Sequence, residues 1–148
     1  MARLQVRDGR IAVVAGAAPG VRSAWVYLDR GCLQAVEDKP QLAWRTLRVR
    51  GVVAGPLLAQ AEAALARELD GAIVRCWRSG LLRISDRHVE DGVDLRLPPT
   101  DPDGGGGVLR AAVVQEALGR PVGAVRELRA GRPSRKLLTV LRRIERLG

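Results

Sequence analysis

The first candidate site is a run of four glycines, residues 104–107, whose backbone groups could bind a ligand. The apolar segment 108–118 follows it. The period of that segment predicts an amphipathic helix, so the glycines would present free backbone N–H groups at a helix start. Such a start favours an anion, and Arg110 one turn further on adds a charged donor. The alternative, which the sequence favours, is a loop tip in which Asp103 caps the helix. The candidate anion-binding residues are Gly104, Gly105, Gly106, Gly107 and Arg110.

A second cluster of donors is basic and lies near the C-terminus, where Ser134-Arg135-Lys136 follows Arg132. The spacing of Leu141 and Ile144 predicts a helix whose far side carries further arginines. Such a face fits the phosphate backbone of a nucleic acid, and it also fits a plain solvated surface. The candidate nucleic-acid-binding residues are Arg132, Arg135, Lys136, Arg142, Arg143 and Arg146.

Positive charge is concentrated in the same part of the chain. The formal net charge is +9, and residues 104–148 hold ten basic and three acidic residues, a net charge of +7. The other 103 residues therefore carry only +2. A GC-rich genome would explain arginine in place of lysine, but not the excess of bases over acids. An anionic partner such as RNA, DNA or a phosphorylated ligand is expected at the C-terminal third.

Catalytic chemistry has less support in the sequence. His88 is the only histidine, and it stands among carboxylates in the segment 85–91. Its spacing fits neither a zinc site nor a pair of histidines on one helix face, so a solvated turn is favoured. Cys76 and Cys32 are expected to be core thiols. Because no nucleophile, base and orienting group come together, the sequence favours a binding protein over an enzyme, and it predicts no metal or cofactor.

Composition indicates a globular protein, with 47% hydrophobic and 28% charged residues over 148 positions. One domain with an aliphatic core is expected, and the scarcity of aromatic residues disfavours base stacking. Two cysteines far apart form no disulfide framework, which favours a reducing cytoplasm. Neither a signal peptide nor an apolar run long enough to span a membrane is recognised, so a cytoplasmic protein without membrane association is predicted.

Periodicity and turn residues place these groups on structural elements. Asp8-Gly9 predicts one hairpin, and Asp29-Arg30-Gly31 predicts a second between strands at 24–28 and 32–36. Pro56 opens a helix that ends at Asp70-Gly71. The other expected elements are strands at 44–53, 72–77, 81–84, 93–97 and 124–128, a helix at 108–118, and a C-terminal segment that is either all helix or a short strand and then a helix.

Alternating strands imply a sheet with one wet face. The predicted fold class is therefore α/β (α+β), with a mixed or antiparallel sheet, two principal helices at 56–69 and 108–118 packed on it, and an arginine-rich C-terminal helix. Within this single domain of residues 1–148, residues 1–70 are hairpin-rich and residues 71–148 form a β/α part.

Residues 72–140 carry an ordered set of short motifs. They are a strand running into Pro98-Pro99, then Asp103-Gly104, a helix ending in Leu118-Gly119, then Gly131 and Ser134-Arg135-Lys136. This order resembles the YggU-like family of small α/β proteins. The resemblance implies a fold for residues 71–148 and not an activity. Glycines 105–107 stand where that family has a lysine and an asparagine.

The predicted function is that of a small basic protein that binds RNA or another polyanion through phosphate contacts from its C-terminal arginines. Two alternatives stay open. One is a domain that binds or converts a small phosphate or carboxylate ligand at glycines 104–107, and the other is an assembly partner of an acidic protein. Steep salt dependence of nucleic-acid binding favours the first function, and thermal stabilisation by a nucleotide or sugar phosphate favours the small-ligand alternative.

Overall fold

The computed structural model of the chain describes residues 1–14, 19–53, 55–85, 94–97, 107–120, 123 and 125–147. Within those ranges the α/β class is confirmed. The strands are β1 (Ala2–Arg7), β2 (Arg10–Val14), β3 (Ala24–Val26), β4 (Val52–Val53), β5 (Leu82–Ile84), β6 (Asp94–Leu97), β7 (Gly107–Arg110) and β8 (Val125–Leu128). The helices are α1 (Arg30–Asp38), α2 (Gln41–Leu47), α3 (Leu57–Arg78), α4 (Ala111–Leu118) and α5 (Arg132–Leu147).

The chain forms two compact units, one of Met1–Ala66 with Arg143–Gly148 and the other of Arg67–Arg142. The first unit holds a four-stranded sheet in the order β3-β1-β2-β4, in which β4 runs parallel to β2 and the other pairs are antiparallel. In the second unit β5 pairs with β8 and β6 with β7, both antiparallel. The single-domain interpretation stays a prediction.

The hairpin predicted at Asp8-Gly9 is confirmed. Asp8 (φ 51°) and Gly9 (φ 75°) both lie in the left-handed region, as a two-residue turn between antiparallel strands requires. The alternation on either side of this turn sends Leu4 and Ile11 into the core.

The second predicted hairpin is wrong, because Asp29 begins a helix. Its Oδ1 accepts a hydrogen bond from the Cys32 N–H at 2.8 Å, which satisfies one of the free donors in the first turn of α1. Leu33 and Val36, three positions apart, are the buried residues of that helix. The apolar residues after Gly31 therefore follow a helical period.

The strand predicted at 44–53 is wrong over most of its length. Arginines at alternating positions indicated a strand, but Ala43 and Leu47 are buried one turn apart in α2. Arg48 ends this helix in the left-handed conformation, at φ 56°, and only Val52 and Val53 form a strand.

The helix predicted after Pro56 continues well beyond its predicted end. The buried face of the helix continues with a helical period on both sides of Gly71, through Leu69, Ile73 and Cys76. Helix α3 therefore extends to residue 78. The strand predicted at 72–77 is therefore wrong. A glycine in a helix interior costs about 1 kcal/mol relative to alanine, and the burial on either side of Gly71 outweighs that cost.

The start of α3 is stabilised by a residue of α1. The carboxylate of Glu37 accepts a hydrogen bond from the Leu57 N–H, a donor that has no partner within the helix. A negative charge at a helix N-terminus also interacts favourably with the helix dipole. The first turn of α3 has no acidic residue of its own, so Glu37 supplies that charge from elsewhere in the same unit.

The segment 108–118 combines a strand and a helix, so the helix start predicted at Val108 is wrong. Val108 lies in β7 and is 49% exposed, whereas Leu109 is buried. Helix α4 begins at Ala111 and ends at Leu118, and the left-handed conformation of the following Gly119 (φ 66°) is typical of a helix C-terminus. The strands predicted at 81–84, 93–97 and 124–128 are confirmed over their described residues as β5, β6 and β8, and the C-terminal segment is helix throughout 132–147.

The core of the first unit is aliphatic, as the composition predicts. Strands and helices of that unit bury one continuous cluster of residues. Its members are Ala2, Leu4, Ile11, Ala24, Leu33, Val36, Ala43, Leu47, Leu57, Ala61, Leu65 and Leu147.

Candidate nucleic-acid interface

Helix α5 begins at a tightly packed turn. A Cβ on Gly131 would lie 2.8 Å from Leu81 Cδ1, so any larger residue would require the Leu81 side chain to shift. Ser134 is fully buried, and its Oγ donates to the Gly131 carbonyl at 2.9 Å. The Arg135 N–H donates to the same oxygen at 3.0 Å. Of the predicted basic tip, the serine is therefore structural, and Arg132, Arg135 and the adjacent lysine are the surface groups.

The two sides of α5 differ sharply in chemistry. Leu137, Leu138, Val140 and Leu141 are buried on one side. At about 100° per residue, the six predicted basic residues all fall within an arc of about 120° on the opposite side. Five of them are exposed and Arg143 is half-buried. This basic stripe consists of Arg132, Arg135, Lys136, Arg142, Arg143 and Arg146.

The positive charges of the basic stripe repel one another. Arg132 lies three positions from Arg135 and four from Lys136, spacings at which like charges on a helix repel. These cations also lie near the N-terminus of α5, where the positive end of the helix dipole disfavours them. The first turn has no acidic residue to offset this effect. Lys136 Nζ is 3.8 Å from Glu68 Oε2, too far for a hydrogen bond, and this single carboxylate stands against three cations. A bound anion would relieve the repulsion.

The predicted anion site at the glycine run has a different geometry. Gly104, Gly105 and Gly106 lie outside the described residues, and Gly107 is the first residue of β7, not part of a helix start. A Cβ on Gly107 would lie 2.7 Å from Leu141 Cδ1, so the close approach of α5 explains this glycine. Arg110 is exposed at the N-cap of α4, where its side chain makes no capping hydrogen bond. Gly107 therefore does not open a helix, and α4 begins four residues later at Ala111.

The thiols have environments that suppress reactivity. Burial raises the pKa of Cys76 from 9.0 to about 11, against a smaller opposing effect of Arg75. The hydrogen bond with Asp29 raises the pKa of Cys32, and burial and the charge of Asp29 act in the same direction. His88 and its neighbours at 86–91 lie outside the described residues. Among the residues that are described, no three His, Cys, Asp or Glu side chains form a group that could hold a metal ion.

A further group of arginines was not predicted as a site. Arg45, Arg48 and Arg50 line a surface cavity of about 290 Å³ together with Trp44 and Val49. Trp44 Nε1 donates to the Gly51 carbonyl at 2.8 Å, which fixes the indole ring. A signal was available in the sequence, because no acidic residue occurs from position 39 to position 61 while four basic residues do. The grouping itself depends on the end of α2, which the strand interpretation missed.

Comparison of the chain with protein-family models, curated proteins and solved structures gave no match. The resemblance to the YggU-like family stays a prediction. In the structure its Leu118-Gly119 motif is the end of α4, and its Gly131 and Ser134-Arg135-Lys136 motifs form the beginning of α5.

In the part of the chain that the structure describes, no helix combines the length and the apolar character needed to cross a bilayer.

Proposed function

We propose that this protein binds RNA or another polyanion through phosphate contacts from the basic stripe of α5. The observation that carries the proposal is the arc itself: every basic residue of the helix lies on one side, and the buried leucines lie on the other. A solvated helix face normally mixes charges of both signs, which stabilises the helix through pairs at i and i+4. On this face Thr139 is the only other residue.

The guanidinium group suits a phosphate partner. It is always charged, and it presents a planar fork of donors that matches two phosphate oxygens. Arg132, Arg135 and Arg142 are exposed, so their donors are accessible without rearrangement of the core. Arg132 and Arg142 are ten residues apart, a rise of about 15 Å along the helix. A polymer with regularly spaced charges can therefore contact several of them at once.

Binding of this kind depends steeply on salt. Each phosphate that a cation neutralises releases condensed counterions, so the logarithm of the affinity falls with the logarithm of salt concentration by about 0.7–0.9 per contact. Phosphate contacts carry no base information, so affinity should differ little between sequences of equal length.

The test is a titration of fluorescently labelled RNA at several salt concentrations with the triple variant R132Q/R135Q/R142Q. Glutamine keeps helix propensity, and the three side chains lie off the buried side, so the fold is retained. We expect weaker binding at low salt and a salt slope smaller by about two to three. The matched control is R30Q/R67Q/R78Q, which removes the same charge from exposed positions on α1 and α3 and should alter binding much less.

Equal loss of affinity in the two triple variants would mean that net charge alone attracts the polymer, and it would refute a specific role of α5. Absence of RNA binding by the unmodified protein at low salt would refute the proposal altogether. In that case an acidic protein or a small anion becomes the better partner for the arginines.

A further inference from the structure

The cavity at the end of α2 has chemistry of its own, and it shares no residue with the basic stripe. Trp44, Arg45, Arg48, Val49 and Arg50 line it, all within the first compact unit. Its volume of about 290 Å³ is near the lower limit for small-ligand pockets, which begin at about 300 Å³. The cavity is open to solvent, so a ligand would be enclosed on one side only.

Trp44 supplies a rigid apolar wall. The only polar atom of its side chain, Nε1, is already hydrogen-bonded to the Gly51 carbonyl at 2.8 Å. Trp44 is half-buried and also packs against the hydrophobic core of this unit, so what it offers a ligand is the exposed part of its ring, held in one orientation before binding. A planar ring packed on such a surface gains stacking energy without the cost of ordering the protein partner.

Three arginines surround that wall. Arg45, Arg48 and Arg50 are all exposed, and no acidic residue is among the lining residues. Arg45 lies in the last turn of α2, where a cation interacts favourably with the helix dipole. Arg48 and Arg50 come after the last helical residue, so a favourable interaction with the helix dipole explains their presence less well. Their guanidinium groups are suited to bind a phosphate with paired hydrogen bonds.

Arg48 occupies a backbone position that favours glycine. Its φ of 56° and ψ of 32° are left-handed, the conformation in which glycine most often follows a helix. A bulky side chain such as that of arginine is disfavoured in the left-handed conformation. Glycine at this position would give a more stable helix end than arginine does.

We propose that this cavity is a nucleotide site, in which a base packs on Trp44 and the phosphate is bound by Arg45, Arg48 and Arg50. The shared chemistry is a planar heterocycle joined to a phosphate. Two sources carry it, a free mononucleotide and one nucleotide of a single strand. The site is separate from the one proposed on α5, so either can be correct without the other.

The experiment uses the W25F/W77F variant, which leaves Trp44 as the only tryptophan, and follows its fluorescence. Titration with AMP is expected to quench the emission to saturation, and adenosine or inorganic phosphate alone should bind at least tenfold more weakly. R48G in the same background should weaken AMP binding at least tenfold while the melting temperature stays equal or rises. R50Q provides a second binding variant, and R7Q removes an exposed arginine of the same unit as the matched control.

A homopolymeric tetra-adenylate distinguishes the two sources. If it binds at least tenfold more tightly than AMP, the site takes a nucleotide of a strand, and if it does not, a free nucleotide suffices. Adding R132Q/R135Q/R142Q should leave AMP quenching unchanged, which separates this site from the basic stripe. The proposal is overturned if millimolar AMP and tetra-adenylate both fail to quench Trp44, if phosphate alone binds as well as AMP, or if R48G and R50Q keep full affinity.

Discussion

Three of the four aromatic side chains of this protein lie at the surface, and the fourth, Trp44, is half-buried against the core. Trp25, Tyr27 and Trp77 are 52%, 69% and 39% exposed, in a chain with four aromatic residues. The Arg3 guanidinium lies 4.5 Å from the centre of the Trp25 ring, and the Arg120 guanidinium 5.7 Å from that of Trp77. Both distances are within the range of cation–π attraction. Scarcity of aromatic residues is therefore a poor guide to stacking, because exposure decides which rings a ligand can reach.

Cys76 gives a prediction about pH. Its pKa is raised from 9.0 to about 11 by burial, so the folded protein holds the thiol proton more tightly than the unfolded chain does. The stability that follows is fully present below pH 9 and is lost as pH rises from about 9 to about 11. We expect Cys76→Ala, though less stable overall, to show a shallower loss of stability across that range in denaturant titrations.

The same burial predicts that Cys76 is inert toward Ellman's reagent at pH 7.5 until the protein is unfolded, because the thiolate is the reactive form. Cys32 is half-buried, and the Cys32→Ala variant separates its reaction with the reagent from that of Cys76. Rapid modification of Cys76 in the folded protein, or a pH profile identical to that of the alanine variant, would contradict this assignment.

Helix α4 shows why exact element boundaries decide which side chain is buried. A helix starting at residue 108 would bury Val113, whereas in the actual α4 Ala111 and Val114 are buried and Val113 is only half-buried. We therefore expect Val114→Asp to destabilise the protein by about 3–5 kcal/mol, because it places an unpaired charge in the core. Val113→Asp should cost clearly less, because its carboxylate can reach water.

Thermal denaturation of the two aspartate variants, with Val113→Ala and Val114→Ala as size controls, measures this difference. A larger loss for Val113→Asp would mean that the face of α4 is assigned wrongly.

The sequence correctly predicted those elements whose stabilising interactions lie within a few neighbouring residues. Asp8-Gly9 satisfies the turn of its hairpin unaided, and the 3.6-residue period of α5 places its arginines opposite its leucines. Asp29 was ambiguous, because the same residue favours a turn and a helix N-cap, and only the packing of Leu33 and Val36 decides between them.

The candidate sites follow the same rule. The basic stripe could be predicted, because it depends on a single helix. The cavity beside Trp44 could not, because it requires both the end of α2 and the course of the chain after Arg48. The glycine run also could not be interpreted locally, since what constrains Gly107 is Leu141, a residue far away in sequence.

For the molecule as a whole, the excess of positive charge is an unfavourable feature. The net charge is +9 and the isoelectric point is about 11.2, so the compact state is opposed by self-repulsion. Repulsion is strongest where cations are neighbours, as they are on α5. Salt shortens the range of this repulsion, with a Debye length of about 30 Å at 0.01 M and about 8 Å at 0.15 M. We therefore expect the melting temperature to rise as salt is added from low concentration.

The same reasoning predicts that R132Q/R135Q/R142Q melts at a higher temperature than the unmodified protein at low salt. The substitutions remove the like-charge pairs that Arg132 makes with Arg135 and Lys136, and the pair between Arg142 and Arg146, but they also remove the favourable pair of Arg142 with Glu145. At about 0.2–0.5 kcal/mol each, three unfavourable pairs less one favourable pair leave a net gain of about 0.4–1 kcal/mol, or about 1–4 °C in a protein of this size. The gain should shrink at high salt, and R30Q/R67Q/R78Q, with the same net charge, should gain less. A lower melting temperature for the α5 variant at low salt would show that its arginines already have stabilising partners within the protein, and that the stripe is not held ready for a polyanion.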